Sequence, residues 1–141
     1  MKTSFYYRVS KIEGIADKLV CISRTKPDWF PQGRDIPELM PSWKLLKSFQ
    51  NGEITEMQYC QQYMEQLSKY DPEQLYTKIC RLYGEDCILL CWCNTKDFCH
   101  RQLAAEWFER SLGKKVPELG RTEYTRRYGR LFPVERQGTL F

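Results

Sequence analysis

Cys87-Ile88-Leu89-Leu90-Cys91-Trp92 is almost continuously apolar, and a polar turn with a helix-forming segment follows at once. A strand with one face in water alternates apolar and polar residues, whereas an unbroken apolar strand is buried on both faces. That requirement places it inside a sheet sandwiched between other layers. A second short apolar run, Lys18-Leu19-Val20-Cys21-Ile22-Ser23, reads as a companion strand, and Ser4-Phe5-Tyr6-Tyr7 as another. Val116-Pro117-Glu118-Leu119 reads as a last edge strand.

Helical segments lie between and after these strands. Ser42 caps a helix carrying Trp43, Leu46 and Phe49 at helical spacing, and Thr55 with Gln58 forms a capping box. The helix that follows Thr55 has Met57, Cys60, Met64 and Leu67 as its expected core stripe. Asp71-Pro72 opens a further helix with Leu75, Ile79 and Leu82 inward, and Gly84 ends it. Asp97 is the expected cap of the last helix, which buries Leu103, Ala104, Trp107, Phe108 and Leu112. Strands alternating with helices give an α/β fold: a small, mostly parallel sheet with helices on both faces, in a Rossmann-like three-layer architecture. The expected organisation is a single α/β domain over residues 1–119 and a basic C-terminal tail over 120–141. Residues 27–41 contain four prolines and one glycine, so they form a long ordered loop or lid.

In such sheets ligands bind where strands end and the next helix begins. The segment Cys91-Trp92-Cys93-Asn94-Thr95-Lys96-Asp97-Phe98-Cys99-His100-Arg101 stands at that junction. It holds three of the seven cysteines and the only histidine. Arg24-Thr25-Lys26 leaves the preceding strand on the same sheet edge. With Asp97 as cap, Cys99, His100 and Arg101 occupy the first helical turn, where free backbone N–H groups and the dipole favour an anion or a thiolate. Arg101 stands against the dipole preference there, so it answers to a ligand or a carboxylate.

Three readings of this segment stay open. One is a pocket for a phosphate-bearing ligand, in which Cys99 acts as nucleophile or His100 as acid/base, and Arg24, Lys26, Lys96, Arg101, Cys91 and Cys93 contribute to binding. The same pocket without turnover is a nucleotide-capture or interaction module. The second is a metal site from Cys91, Cys93 and Cys99 with His100, although the spacing lacks the paired Cys-x-x-Cys of standard zinc sites. The third treats the cysteines as small buried hydrophobes, which is the reading for Cys21, Cys60, Cys80 and Cys87.

With these residues the chain resembles the domain-of-unknown-function 488 family. The resemblance spans nearly all of residues 1–119. It rests on Thr3-Ser4, Ile22-Ser23-Arg24, Pro27-Asp28-Trp29-Phe30, Pro41-Ser42-Trp43, Gly52-Glu53-Ile54 with Tyr59 and Tyr63, Leu89-Leu90-Cys91, and above all Phe98-Cys99-His100-Arg101. It implies a compact α/β domain and no assigned activity. Members often carry Glu where this chain has Cys93, so an acid or base at that place is lost or moved to Asp97 or Glu106, and thiol or metal chemistry gains.

The formal charge is +4, and residues 120–141 supply five arginines against two glutamates. A basic end of this kind attracts phosphates and nucleic acid. The chain closes on Gln137-Gly138-Thr139-Leu140-Phe141, which resembles the peptide that docks DNA-processing proteins on the bacterial replication sliding clamp: Gln137 sets register while Leu140 and Phe141 enter an apolar cleft. No apolar run approaches the roughly 20 residues of a membrane span, and no signal-peptide pattern opens the chain. The expected setting is therefore the cytoplasm, with reduced cysteines, no membrane partner, a phosphate-bearing small molecule or nucleic acid as ligand, and an unspecified cofactor.

Overall fold

The computed structural model describes residues 1–134. Three short parallel strands, β1 (Lys2–Phe5), β2 (Leu19–Cys21) and β3 (Ile88–Cys91), form a sheet in the order β1-β3-β2. Leu89 pairs with Thr3 on one side and Val20 on the other, so β3 is central. Both its ladder edges and both its faces are covered, which is why its sequence lacks a polar side. The segment expected as an edge strand, 116–119, touches β1 through one parallel bridge, Thr3 to Glu118. Its register is held by Thr3 N–H donating to the Pro117 carbonyl (2.9 Å) and Leu119 N–H donating to the Thr3 carbonyl (2.8 Å).

The two faces are dressed unequally. Val20, Cys87 and Leu89 point into the larger core, built with α2 (Trp43–Gln50), α3 (Glu56–Leu67), α4 (Pro72–Tyr83) and α5 (His100–Leu112). Leu19, Cys21, Ile88 and Leu90 face the smaller core, where α1 (Tyr6–Val9) and the loop residues Phe30 and Met40 cover them. The α/β architecture is as expected, but its second layer is one turn of helix plus the proline-rich loop. That loop returns along the free edge of β2, where Cys21 N–H donates to the Arg34 carbonyl at 2.7 Å.

Ser42, Thr55 with Gln58, and Asp71 all cap as their sequence positions require. Three local expectations are corrected. In α2 the fully buried residue is Leu45, while Trp43 is half exposed. In α3 the buried stripe is Tyr59, Cys60, Tyr63 and Leu67, with Met57 in solvent. Tyrosines win these places because each ring fills the core while its hydroxyl finds a partner, as when Tyr63 Oη–H donates to the Leu39 carbonyl at 2.7 Å. Leu82 of α4 is likewise exposed.

Residues beyond 119 are not simply solvated. β4 (Tyr124–Arg127) and β5 (Arg130–Pro133) form an antiparallel hairpin packed on α5. Its turn, Tyr128-Gly129, has φ of 54° and 77°, the double left-handed pattern of a type I′ connection. Arg126 reaches inward to Gln102 Oε1, Glu109 and the Val116 carbonyl. Arg130 pairs with Glu56.

Candidate functional site at the ends of the central strands

β3 stops at Cys91, and Trp92 turns outward, half exposed. Its indole Nε1–H donates to both the carbonyl and the hydroxyl of Thr25 at 3.0 Å, which ties the exit of β3 to the exit of β2. The turn then closes on itself: Asn94 Oδ1 accepts from Lys96 N–H at 2.8 Å, and Asp97 N–H donates to the Asn94 carbonyl. Asp97 is consumed by this turn, so α5 starts two residues later, with Cys99 as its N-cap in an extended conformation (φ −155°). Only His100 and Arg101 of the signature stand in the first helical turn. The Cys99 N–H, expected to face a ligand, donates instead to the Gly129 carbonyl of the hairpin at 2.9 Å.

Arg101 is fully buried and committed to the protein. Its Nε and Nη2 donate to the two oxygens of Glu118 at 3.1 and 2.7 Å, and Nη1 donates to Cys91 Sγ at 2.9 Å and to the Cys93 carbonyl. Glu118 also accepts from Thr3, Thr95 and Gln102. Burial acts to raise the Glu118 pKa, but the hydrogen bonds and charge of Arg101 outweigh it and hold the carboxyl below its ordinary value. Glu118 is thus the carboxylate that an arginine at a helix start demanded, and the Arg101 donors are directed at the protein's own acceptors. Arg101 locks the end of β3 to α5 and the 116–119 segment.

His100 is also buried. Its Nε2 lies 2.6 Å from the Ile22 carbonyl, so that nitrogen carries the proton and Nδ1 presents its lone pair, 3.9 Å from Cys99 Sγ. Burial pushes its pKa down to about 4, leaving the imidazole neutral at pH 7. The Tyr63 ring packs edge-on against it at 5.6 Å.

A pocket of about 180 Å³ opens between the two strand ends, lined by Ser23, Arg24, Thr25, Cys91, Cys93 and His100, with Pro41, Leu46, Gln50 and Trp92 completing it. Of the candidate residues, Arg24, Cys91, Cys93 and His100 therefore meet in one place. Cys99 is buried behind them, so the sulfur best placed for chemistry in the pocket is the half-buried Cys93, whose thiol burial pushes up more than the Arg101 charge lowers it. Lys26 faces Asp35 at 3.1 Å, and Lys96 is exposed outside the pocket wall. The sulfurs of Cys91, Cys93 and Cys99 all lie within 4.8 Å of one another. Those of Cys91 and Cys99 are in bonding contact, while their Cα atoms stand 7.8 Å apart.

Sequence reasoning placed Thr25 at this edge only as part of the Arg24-Thr25-Lys26 exit, and it missed Ser23, Pro41, Leu46 and Gln50 as wall residues. Pro41, at the end of the proline-rich loop, and Leu46 and Gln50 of α2 reach the pocket by a return path that no local pattern reveals. Gln137, Leu140 and Phe141 lie outside the described residues. Among the described residues no helix is long and apolar enough to cross a membrane.

Residues 15–112, more than two-thirds of the chain, match the profile of the Active DUF488-N3 subclade. The chain belongs to the DUF488 family. No curated protein and no solved structure matches it. The matched segment of this DUF488 protein contains β2, β3, α5 and every residue of the pocket wall, while the hairpin and Glu118 lie beyond it.

Proposed function

We propose that this DUF488 domain binds a phosphate-bearing ligand, a nucleotide or a piece of nucleic acid, in the pocket between the ends of β2 and β3. The observation that carries the reading is Arg24. Its Nε–H is fixed on the Pro41 carbonyl at 2.7 Å, and no carboxylate among the described residues pairs with it. A guanidinium on a pocket wall without an anionic partner suits an anionic ligand. The half-exposed Trp43 ring lies 5.8 Å from that guanidinium, and Trp92 borders the same opening. Exposed indoles beside a cation are the elements that hold a base next to its phosphate.

Size refines the proposal. A complete small-molecule site encloses about 300–1,000 Å³, so a pocket of about 180 Å³ takes a phosphate and sugar and leaves a base outside against tryptophan. Turnover at this site would use Cys93 and His100; capture would use the same contacts without them. Calorimetric titration with ribose 5-phosphate, AMP and adenosine tests the reading. The two phosphates bind, adenosine does not, and Arg24→Ala weakens AMP roughly 10- to 100-fold, the value of a charge-assisted hydrogen bond. Equal binding of adenosine and AMP, or an unaffected Arg24→Ala, refutes it.

A further inference from the structure

We propose that Cys91, Cys93 and Cys99 form a three-thiolate site for a soft divalent cation of the zinc class, set in the wall of the pocket. Three sulfurs from two separate segments, the end of β3 and the cap of α5, converge within 4.8 Å, and they are the metal-ligand cluster found among the described residues. Cysteines buried merely as hydrophobes need no such convergence. They also need no cation, yet the buried Arg101 guanidinium donates to Cys91 Sγ at 2.9 Å. Donors of this kind orient thiolate ligands and offset their charge in metal sites. Three thiolates around a divalent ion carry one net negative charge; the Arg101 charge is balanced by Glu118, but its Nη1–H donor remains directed at Cys91 Sγ.

The geometry suits a tetrahedral ion. Metal–sulfur bonds of about 2.3 Å set ligand sulfurs roughly 3.8 Å apart. In the reduced protein the Cα atoms of Cys91 and Cys99, 7.8 Å apart and so wider than the roughly 4.4–6.8 Å of ordinary disulfides, suit two ligands of one ion. Among divalent ions, sulfur ligation selects zinc or cadmium over magnesium or calcium. Each thiol releases its proton to solvent as the metal–sulfur bond forms. Cys91 and Cys93 also line the pocket, so the fourth coordination position lies on the ligand side, as in sites that keep one position open.

The metal proposal does not require the phosphate reading, although it shares Cys91 and Cys93 with the same pocket wall and makes Cys93 a ligand instead of a nucleophile. The test is titration of reduced, metal-free protein with Zn²⁺ against a chromophoric chelator, and with Cd²⁺ followed by thiolate charge-transfer absorption. One equivalent of either ion binds. Cys93→Ser, a change at a half-buried residue, weakens binding by at least about a hundredfold, since even outer-shell losses cost about 10- to 100-fold. Circular dichroism checks that this variant is folded. Cys80→Ser, outside the cluster, leaves the affinity unchanged. Arg24→Ala also keeps metal binding whether or not it loses AMP, which separates this claim from the ligand reading. Reduced protein that binds no stoichiometric metal, or folded Cys93→Ser that binds as tightly as wild type, overturns the proposal. So does as-purified protein in which Cys91 and Cys99 form a disulfide and which, once reduced, takes up no ion.

Discussion

Replacing Arg101 with alanine should remove a large part of the stability of this domain. Arg101 and Glu118 are both fully buried, and the guanidinium makes bonds to four acceptors: two carboxylate oxygens, a sulfur and a carbonyl. Removing one partner of a buried pair leaves an uncompensated charge and costs about 3–5 kcal/mol. Glu118 would keep Thr3, Thr95 and Gln102, which moderates the loss without replacing the positive charge. Against a total of roughly 5–15 kcal/mol for a domain, a loss of about 4 kcal/mol is severe. Equilibrium urea unfolding reads it directly: with a slope of about 2 kcal/mol per molar, the midpoint falls by roughly 2 M. Arg101→Met combined with Glu118→Leu should be more stable than either single change, because no charge is left stranded. An Arg101→Ala midpoint within about 0.3 M of wild type would refute the argument that this pair holds the strand end in place.

The same pair makes stability pH-dependent. Because Arg101 holds the Glu118 carboxyl below the ordinary glutamate value, the pair's contribution is present above that ordinary value and is lost as pH falls through the lower folded-state value; Glu118→Gln flattens this acid limb of a stability–pH profile. Gly129→Ala should loosen the hairpin, since a Cβ there would lie 2.4 Å from the Phe98 ring on a backbone with φ of 77°. Hydrogen exchange at the Cys99 amide, which donates to the Gly129 carbonyl, should then accelerate well beyond that of core amides. Trp92→Phe removes the indole donor to Thr25, and a modest loss of roughly 0.5–1.5 kcal/mol in thermal unfolding, together with weaker AMP binding, is expected.

Much of the scaffold was legible in the sequence because it rests on local chemistry. The unbroken apolarity of β3 gave its central place, and Ser42, Thr55 and Asp71 cap helices by contacts three residues long. The meeting of Arg24 with Cys91, Cys93 and His100 was legible too, through the rule that parallel strands end on one edge. What escaped depends on contacts between distant segments. Asp97 has the chemistry of a cap, but the Asn94 turn and the Gly129 carbonyl set the helix start. The hairpin lacks an Asn-Gly signal, because Tyr128 takes the left-handed position that small polar residues usually fill. The role of Arg101 was half legible: the helix dipole called for a carboxylate or a ligand, but only the fold could choose Glu118, 17 residues on.

The most direct test of the proposed binding site is an amide and indole nuclear magnetic resonance titration of the ¹⁵N-labelled protein with AMP. Saturable shifts should appear at Ser23, Arg24, Thr25 and Cys93 and at the Trp92 indole N–H, and Arg24→Ala should abolish them at the same concentrations. Shifts confined to the arginines of the β4–β5 hairpin, with the pocket residues unmoved, would contradict the account.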